Sequence, residues 1–484
     1  MTPAAVIATV LGYIAVLFLV AWLSGRRADN AGFFSGGRRT PWYMAAFAMI
    51  GAAMSGVTFI SVPGSVAADS FSYMEMVAGF TVGQLVVAFL LIPTFYRLRV
   101  VSLYEYLDDR FGIHSHRTGA WFFFISKMLG AALRVYVVCA VLQLLVFDHY
   151  GLPLWANALV TMAFVWLYTQ QGGVQSLIWT DTLKTVCLVG SLVLSIVFIA
   201  DGLGLSARGV VQAVSDSPMS RIFFFDDPAS DRYFWKMFAA GIVLLVAMTG
   251  LDQDMMQRNL SCKNFKDSQK NMITSVISQF FVILLFLMLG VLLYIFAANQ
   301  QIAVEKSDEL FPLIATGNYF PAIVGILFII GLISSAYSAA GSALTALTTS
   351  FTVDILGTKG KSEETVVKMR KKVHIGMAVV MGITIFVFNL LNNTSVIDAV
   401  YILASYTYGP ILGLFAFGIF MKQQVRDKYI PLVAIASPVL CFILQKNSEA
   451  WFGGYQFSYE LLIFNALFTF IGLCLLIKKD KKNN

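Results

Sequence analysis

The sequence predicts an all-α polytopic membrane protein with about thirteen transmembrane helices. Three observations carry that reading. Of 484 residues, 58% are apolar and only 13% charged, and the mean hydropathy is +0.76, which leaves too little polar surface to clothe a water-soluble fold. Apolar runs near the roughly 20 residues needed per bilayer crossing recur along the whole chain. Lys and Arg gather in alternate connections between those runs instead of spreading evenly.

Charges and turn residues place the crossings at 3–23, 42–68, 73–96, 118–147, 152–170, 175–200, 233–256, 272–298, 320–354, 374–392, 396–421, 429–445 and 457–477. The first has no basic residue ahead of it and Arg26 and Arg27 behind it, the reverse of a secretory signal, so it is expected to remain as a crossing that enters from outside. Alternate connections then hold 25 of the 34 Lys and Arg, which puts the N-terminus outside and the C-terminus in the cytoplasm. The net charge of +7 is accordingly a topology signal, with no nucleic-acid partner implied. The expected location is the plasma membrane, the inner membrane in a bacterium.

The second crossing contains IGAAMSGVTFISVPG, residues 50–64, with Gly51, Gly56, Pro63 and Gly64 among Ser55, Thr58 and Ser61. One reading is an interrupted helix whose freed carbonyls offer hard oxygen ligands to a cation. The other is a continuous helix whose small residues admit a close neighbour. Five spans later, MTGLDQDMMQR at 248–258 invites the same pair of readings: a second break lined by Asp252 and Gln253, or a helix approaching the cytoplasm. Two breaks five spans apart are what an inverted five-helix repeat requires. In the ninth crossing Ser335, Ser338 and Ser342 fall on one helix face, either lining a polar pocket or bonding back to their own turn.

Three basic residues lie well inside crossings, where ionisable groups are costly. Lys184 stands three residues after Asp181 and is placed to pair with it. Lys127 is near enough to the cytoplasmic side to snorkel. Arg134 has no carboxylate within a turn, and its fork suits either a substrate carboxylate or helix-end carbonyls.

These motifs resemble the sodium:solute symporter family. The resemblance rests on NAGFFSGGRRTPWY, AAMSGVTFISVPGS, VVSLYEYLDDRFG, GGVQSLIWTDTLK, DQDMMQRNLSCKN, GLISSAYSAAGSALTALTTSFTVD and SYTYGPILGLFAFGIF, in the family's order over most of the chain. It implies a LeuT-like bundle of two inverted five-helix repeats with broken first and sixth core helices. The corresponding divisions are an extra N-terminal helix over 1–24, repeats over 42–202 and 233–422 joined by an extracellular loop at 203–232, two C-terminal crossings within 429–477, and a basic tail at 478–484. It further implies a principal Na+ site made of the Gly51, Met54 and Ser335 carbonyls and the Ser338 hydroxyl, with Ala339 where the family usually has a second hydroxyl. Asp181, Ser338 and Ser342 would form a second Na+ site, with Gly341 where some members carry another serine. Ser55, Thr58 and Arg134, with Asp252 and Gln253, would face the substrate. Arg134 falls where sialic-acid members place the arginine for the substrate carboxylate.

The function expected is therefore sodium-driven uptake of a small organic solute, an anionic sugar or carboxylate such as sialic acid. A neutral sugar, an amino acid or a vitamin stays open, as does a solute sensor or channel on the same fold, for which Ala339 is the support. An enzyme is disfavoured. Neither HExxH nor GxSxG occurs, and GKS at 360–362 lacks the glycine five residues earlier that a phosphate loop needs. Five cysteines without CxxC spacing indicate no disulfide or zinc framework. The aromatic and charged stretch 221–235 reads as a loop on the headgroups or as a lid, and the four histidines form no proton relay.

Overall fold

Helix follows apolar composition throughout the residues that the computed structural model describes: 2–25, 40–98, 103–169, 173–358, 360–391 and 396–478. Arg26, Arg27, Arg38, Arg39, Arg99, Lys359 and the tail beyond Lys478 lie outside that set, as do most of NAGFFSGGRRTPWY and the beginnings of the VVSLYEYLDDRFG and GGVQSLIWTDTLK motifs. The long helices are α1 (Pro3–Gly25), α2 (Trp42–Ala53), α3 (Gly56–Asp69), α4 (Tyr73–Leu98), α5 (Ile113–Tyr150), α6 (Leu154–Thr169), α7 (Gly173–Gly202), α8 (Phe234–Gly250), α9 (Gln253–Leu260), α10 (Phe265–Asn299), α11 (Ala322–Ile355), α12 (Glu363–Leu391), α13 (Val396–Phe420), α14 (Asp427–Lys446) and α15 (Leu461–Leu475). Among the described residues, nine helices meet the length and hydropathy of a crossing, α2/α3 and α8/α9 do so as bent pairs, and α6 and α15 are shorter apolar helices. A helical segment stands at each expected crossing in order, and up to 11 of them are long and apolar enough to span a membrane.

Both expected breaks are present. The chain bends by 57° between α2 and α3 and by 69° between α8 and α9. At the first, Met54 and Ser55 take extended backbone angles (φ −85°, ψ 111° and φ −102°, ψ 173°), and Thr58 Oγ1 accepts the Ser55 N–H at 3.3 Å. The last carbonyl of α2 served in the helical pattern is that of Ile50, bonded by the Met54 N–H, so the carbonyls of residues 51–54 are released before Ser55 O accepts the Phe59 N–H. At the second break a π-helical turn over Val246–Gly250 unwinds α8. Asp252 then caps α9, accepting from the Asp254 and Met255 N–H groups at 2.9 and 3.1 Å.

α11 and α13 are the most enclosed spans, and α1 and α14 the least. α7 lies along α11, α2 packs on α7 and α10, and α5 packs on α11 and α13, so the breaks lie among packed helices. Gly51 is required there. A Cβ at this position would stand 2.7 Å from the Asp181 carbonyl oxygen and collide with the Thr185 hydroxyl. The 221–235 stretch, expected as a headgroup loop, is instead fastened across the end of α3 and the start of α4. The Phe71 N–H donates to Arg221 O, the Phe224 N–H to Glu75 Oε1 at 2.8 Å, and Arg232 Nη1 to Ala68 O at 2.7 Å.

Candidate functional site

The α2/α3 break, α5, the α8/α9 break, α10 and α13 enclose a cavity at the centre of the bundle, lined among others by Met54, Ser55, Thr58, Lys127, Arg134, Asp252, Gln279, Tyr401 and Tyr408. Of the residues the sequence nominated for substrate, Ser55, Thr58, Arg134 and Asp252 line it. Gln253 does not: its Oε1 accepts the Leu103 N–H at 2.8 Å, so it secures the segment before α5 instead of facing the cavity.

The charged residues on the cavity's walls divide into paired and unpaired. Lys127 Nζ lies 3.0 Å from both oxygens of Asp252 and 2.9 Å from Asp254 Oδ2, and Tyr408 donates to Asp252 Oδ2 at 2.8 Å. Lys127 is therefore not snorkelling; it locks α5 to the second break. Among the described residues no carboxylate pairs with Arg134, which is half-buried and lines the cavity. Tyr73 and Tyr401 join hydroxyls at 2.6 Å above this chamber. Both rings also border a second cavity that holds Asp69, Asp231 and Asp398.

Beside the first break, the nominated cation residues converge. Ser335 Oγ reaches the Met54 carbonyl at 3.4 Å, Ser338 donates to Asp181 Oδ1, and Gly51 abuts the Asp181 backbone. Met54, Asp181, Ser335 and Ser338 are each buried. Freed carbonyls and a hydroxyl in a dry crevice are the ligands a small hard cation takes. Among the described residues there is no cluster of three or more His, Cys, Asp or Glu arranged to hold a metal.

Two expectations about buried charge differ from what is observed. Asp181 does not pair with Lys184; its Oδ2 takes Arg258 Nε at 2.9 Å and Nη2 at 2.9 Å. Ser342 bonds Asp254 Oδ2 at 3.1 Å, and not Asp181. Arg258 also reaches Asp254 Oδ1 at 2.5 Å, so Lys127, Arg258, Asp252, Asp254 and Asp181 form one continuous set. The Asp254 and Arg258 pair was legible as an i, i+4 spacing within DQDMMQR. The partners on α5 and α7 were not, because they lie more than a hundred and more than seventy residues away.

Two broken crossings facing one another around a central cavity, with released carbonyls at one and a capped helix start at the other, define a membrane transporter of the broken-helix kind. The sodium:solute symporter family model matches residues 33–427, and the chain belongs to that family. It is 26% identical over 440 residues to the sodium/sialic acid symporter SiaT of Proteus mirabilis, covering 86% of this chain and 84% of that protein. It is 24% identical over 432 residues to the human sodium/iodide cotransporter, covering 85% of this chain and 65% of the human protein. The solved structure of a Na+-coupled sialic acid symporter, substrate-bound and outward-open, superposes with a TM-score of 0.82 at 21% identity over 97% of both chains. The nucleobase-cation-symport transporter Mhp1 superposes with a TM-score of 0.54 at 13% identity over 92% of this chain and 94% of its own. The fold is thus that of these transporters.

Proposed function

We propose that this chain is a sodium-coupled symporter that moves a small organic anion across the plasma membrane. Na+ would be held by the Gly51, Met54 and Ser335 carbonyls and the Ser338 hydroxyl. The anionic group would be held by Arg134, with Ser55 and Thr58 beside it. The observation that carries the anion is the contrast between the two cations that line the cavity: Lys127 is gripped by Asp252 and Asp254, while among the described residues Arg134 lines it without a carboxylate. A buried charge is stable when paired, and here the missing partner is the cargo. The relatives that transport sialic acid favour an acidic sugar within that class.

Coupling needs only that cation and solute each favour the same conformation, so that filling one site raises affinity at the other. A cation at Met54 and Ser335 ties α2 to α11, while an anion at Arg134 ties α5 to the residues just past the same break. The break is shared, and so is the conformational preference. The charge pattern of the loops supports an outside N-terminus and a cytoplasmic C-terminus. The two bends, five spans apart, support repeats over 42–202 and 233–422 with two further crossings within 429–477.

Uptake by proteoliposomes of labelled acidic sugars, carboxylates, amino acids and neutral sugars, with and without an inward sodium gradient, tests the proposal. Gradient-dependent accumulation confined to an anionic solute is expected. Accumulation indifferent to sodium would overturn it.

A further inference from the structure

Lys184 is completely buried in α7, and among the described residues its Nζ has no hydrogen-bond partner. A charged amine at membrane depth is among the costliest groups a helix can carry there, and such residues mark working sites. The other buried cations of this layer have carboxylates in ion-pair contact, Lys127 those of Asp252 and Asp254 and Arg258 those of Asp181 and Asp254. Lys184 interacts instead through space, within electrostatic range of Asp181, Arg258, Arg134 and Asp254. It lies on the stretch of α7 that walls the cation crevice, between Asp181, which meets Ser338, and Thr185, which meets Gly51.

The charges of this layer can be counted. Asp181, Asp252 and Asp254 contribute three negative charges, and Lys127 and Arg258 contribute two positive ones, leaving the connected set one positive charge short of neutral. Lys184 supplies the missing charge without occupying an oxygen. The side chains that family resemblance assigns to a second sodium are also engaged: Ser338 and Arg258 take the two oxygens of Asp181, and Ser342 turns to Asp254. A further cation would leave the buried set positive in a low-dielectric layer, where like charges repel strongly.

We propose that the Lys184 ammonium takes the place of a second sodium ion, so that this chain couples its solute to one sodium, bound at the α2/α3 break. The proposal rests on the sodium-coupled reading above. It assigns Lys184 as the residue that sets ion stoichiometry, although it touches neither ion nor solute.

The test is equilibrium binding of radioactive sodium alone to the purified full-length protein. The wild-type protein is expected to bind one sodium per chain with a non-cooperative isotherm, and two per chain would overturn the proposal whatever any variant does. Lys184→Gln leaves one uncompensated carboxylate and is expected to bind two, whereas Lys184→Arg keeps the charge and stays at one. A folded Lys184→Gln that still binds one sodium would also overturn the proposal, because a merely structural lysine does not change the number of ions. Absence of any sodium binding by the wild-type protein would remove the symport reading together with this inference. Two sodium ions per chain would remove the inference alone.

Discussion

Arg258 Nε on α9 and Asp181 Oδ2 on α7 lie 2.9 Å apart, with both side chains buried. The same guanidinium holds Asp254, so one side chain joins the second break to the helix that walls the first. Removing one member of a buried ion pair leaves its partner charged and unsatisfied, which costs about 3–5 kcal/mol. Arg258→Gln is therefore expected to lower the thermal stability of the purified protein sharply. Arg258→Gln with Asp181→Asn should lose clearly less than the sum of the two single changes, because the stranded carboxylate is then absent. Strict additivity of the unfolding midpoints would show that the pair does not couple the two helices.

Gly51 offers a separate handle on the first break. Its missing side chain allows α2 to approach the Asp181 carbonyl, at 2.7 Å from where a Cβ would be. The obstacle is backbone and cannot swing away, so Gly51→Ala should cost about 1–3 kcal/mol by overpacking. It should also displace the carbonyls released at 51–54, so the sodium concentration for half-maximal uptake should rise. Gly376 on α12, which has open space around it and lies outside the cavity, provides the control: Gly376→Ala should leave sodium dependence within error of the wild-type protein and should not lower stability.

The helical segments, their order and both breaks were legible because they depend on local composition: apolar length for the spans, and glycine, proline and hydroxyl density for the interruptions. The serine face of α11 was legible from its spacing. The destinations of the buried charges were not. Asp181 and Lys184, three residues apart, satisfy the helical rule for a pair, yet Arg258 from another element takes the carboxylate. Helical spacing states which groups share a face and is silent on what the facing helix presents. Gln253 was misjudged for the same reason. It follows Asp252 at the break, but the first turn of α9 carries its side chain to the Leu103 N–H and away from the cavity.

Arg134 tests the choice of solute. A charge-assisted bond to a guanidinium contributes about 1.5–3 kcal/mol, or roughly 10- to 100-fold in affinity. Arg134→Gln should raise the half-saturating concentration of an anionic solute by that range or abolish uptake. Arg134→Lys should recover little, since a point charge does not reproduce the two-pronged geometry. Competition by short carboxylates against the transported solute checks the direction: it should be present in the wild-type protein and lost in Arg134→Gln. Equal competition in both proteins would detach the anion from this residue.

Ala339 follows Ser338 on α11, where the family usually presents a second hydroxyl to sodium, and it is half-buried in the same layer. The first site then relies on released carbonyls and a single hydroxyl, and that hydroxyl donates to Asp181. To bind sodium, Ser338 must turn a lone pair toward the ion while keeping its proton on the carboxylate, which a hydroxyl can do because it donates and accepts at once. Ser338→Ala should thus weaken sodium dependence more than it weakens folding, since Arg258 still satisfies Asp181. Ala339→Ser adds an oxygen at the position the family uses, and one more hydroxyl ligand contributes about 1 kcal/mol, roughly fivefold. The half-maximal sodium concentration should fall by that factor, with the number of ions unchanged. A shift in the same direction in Ala339→Val, which adds bulk without oxygen, would mean that packing, and not coordination, sets the affinity of the site.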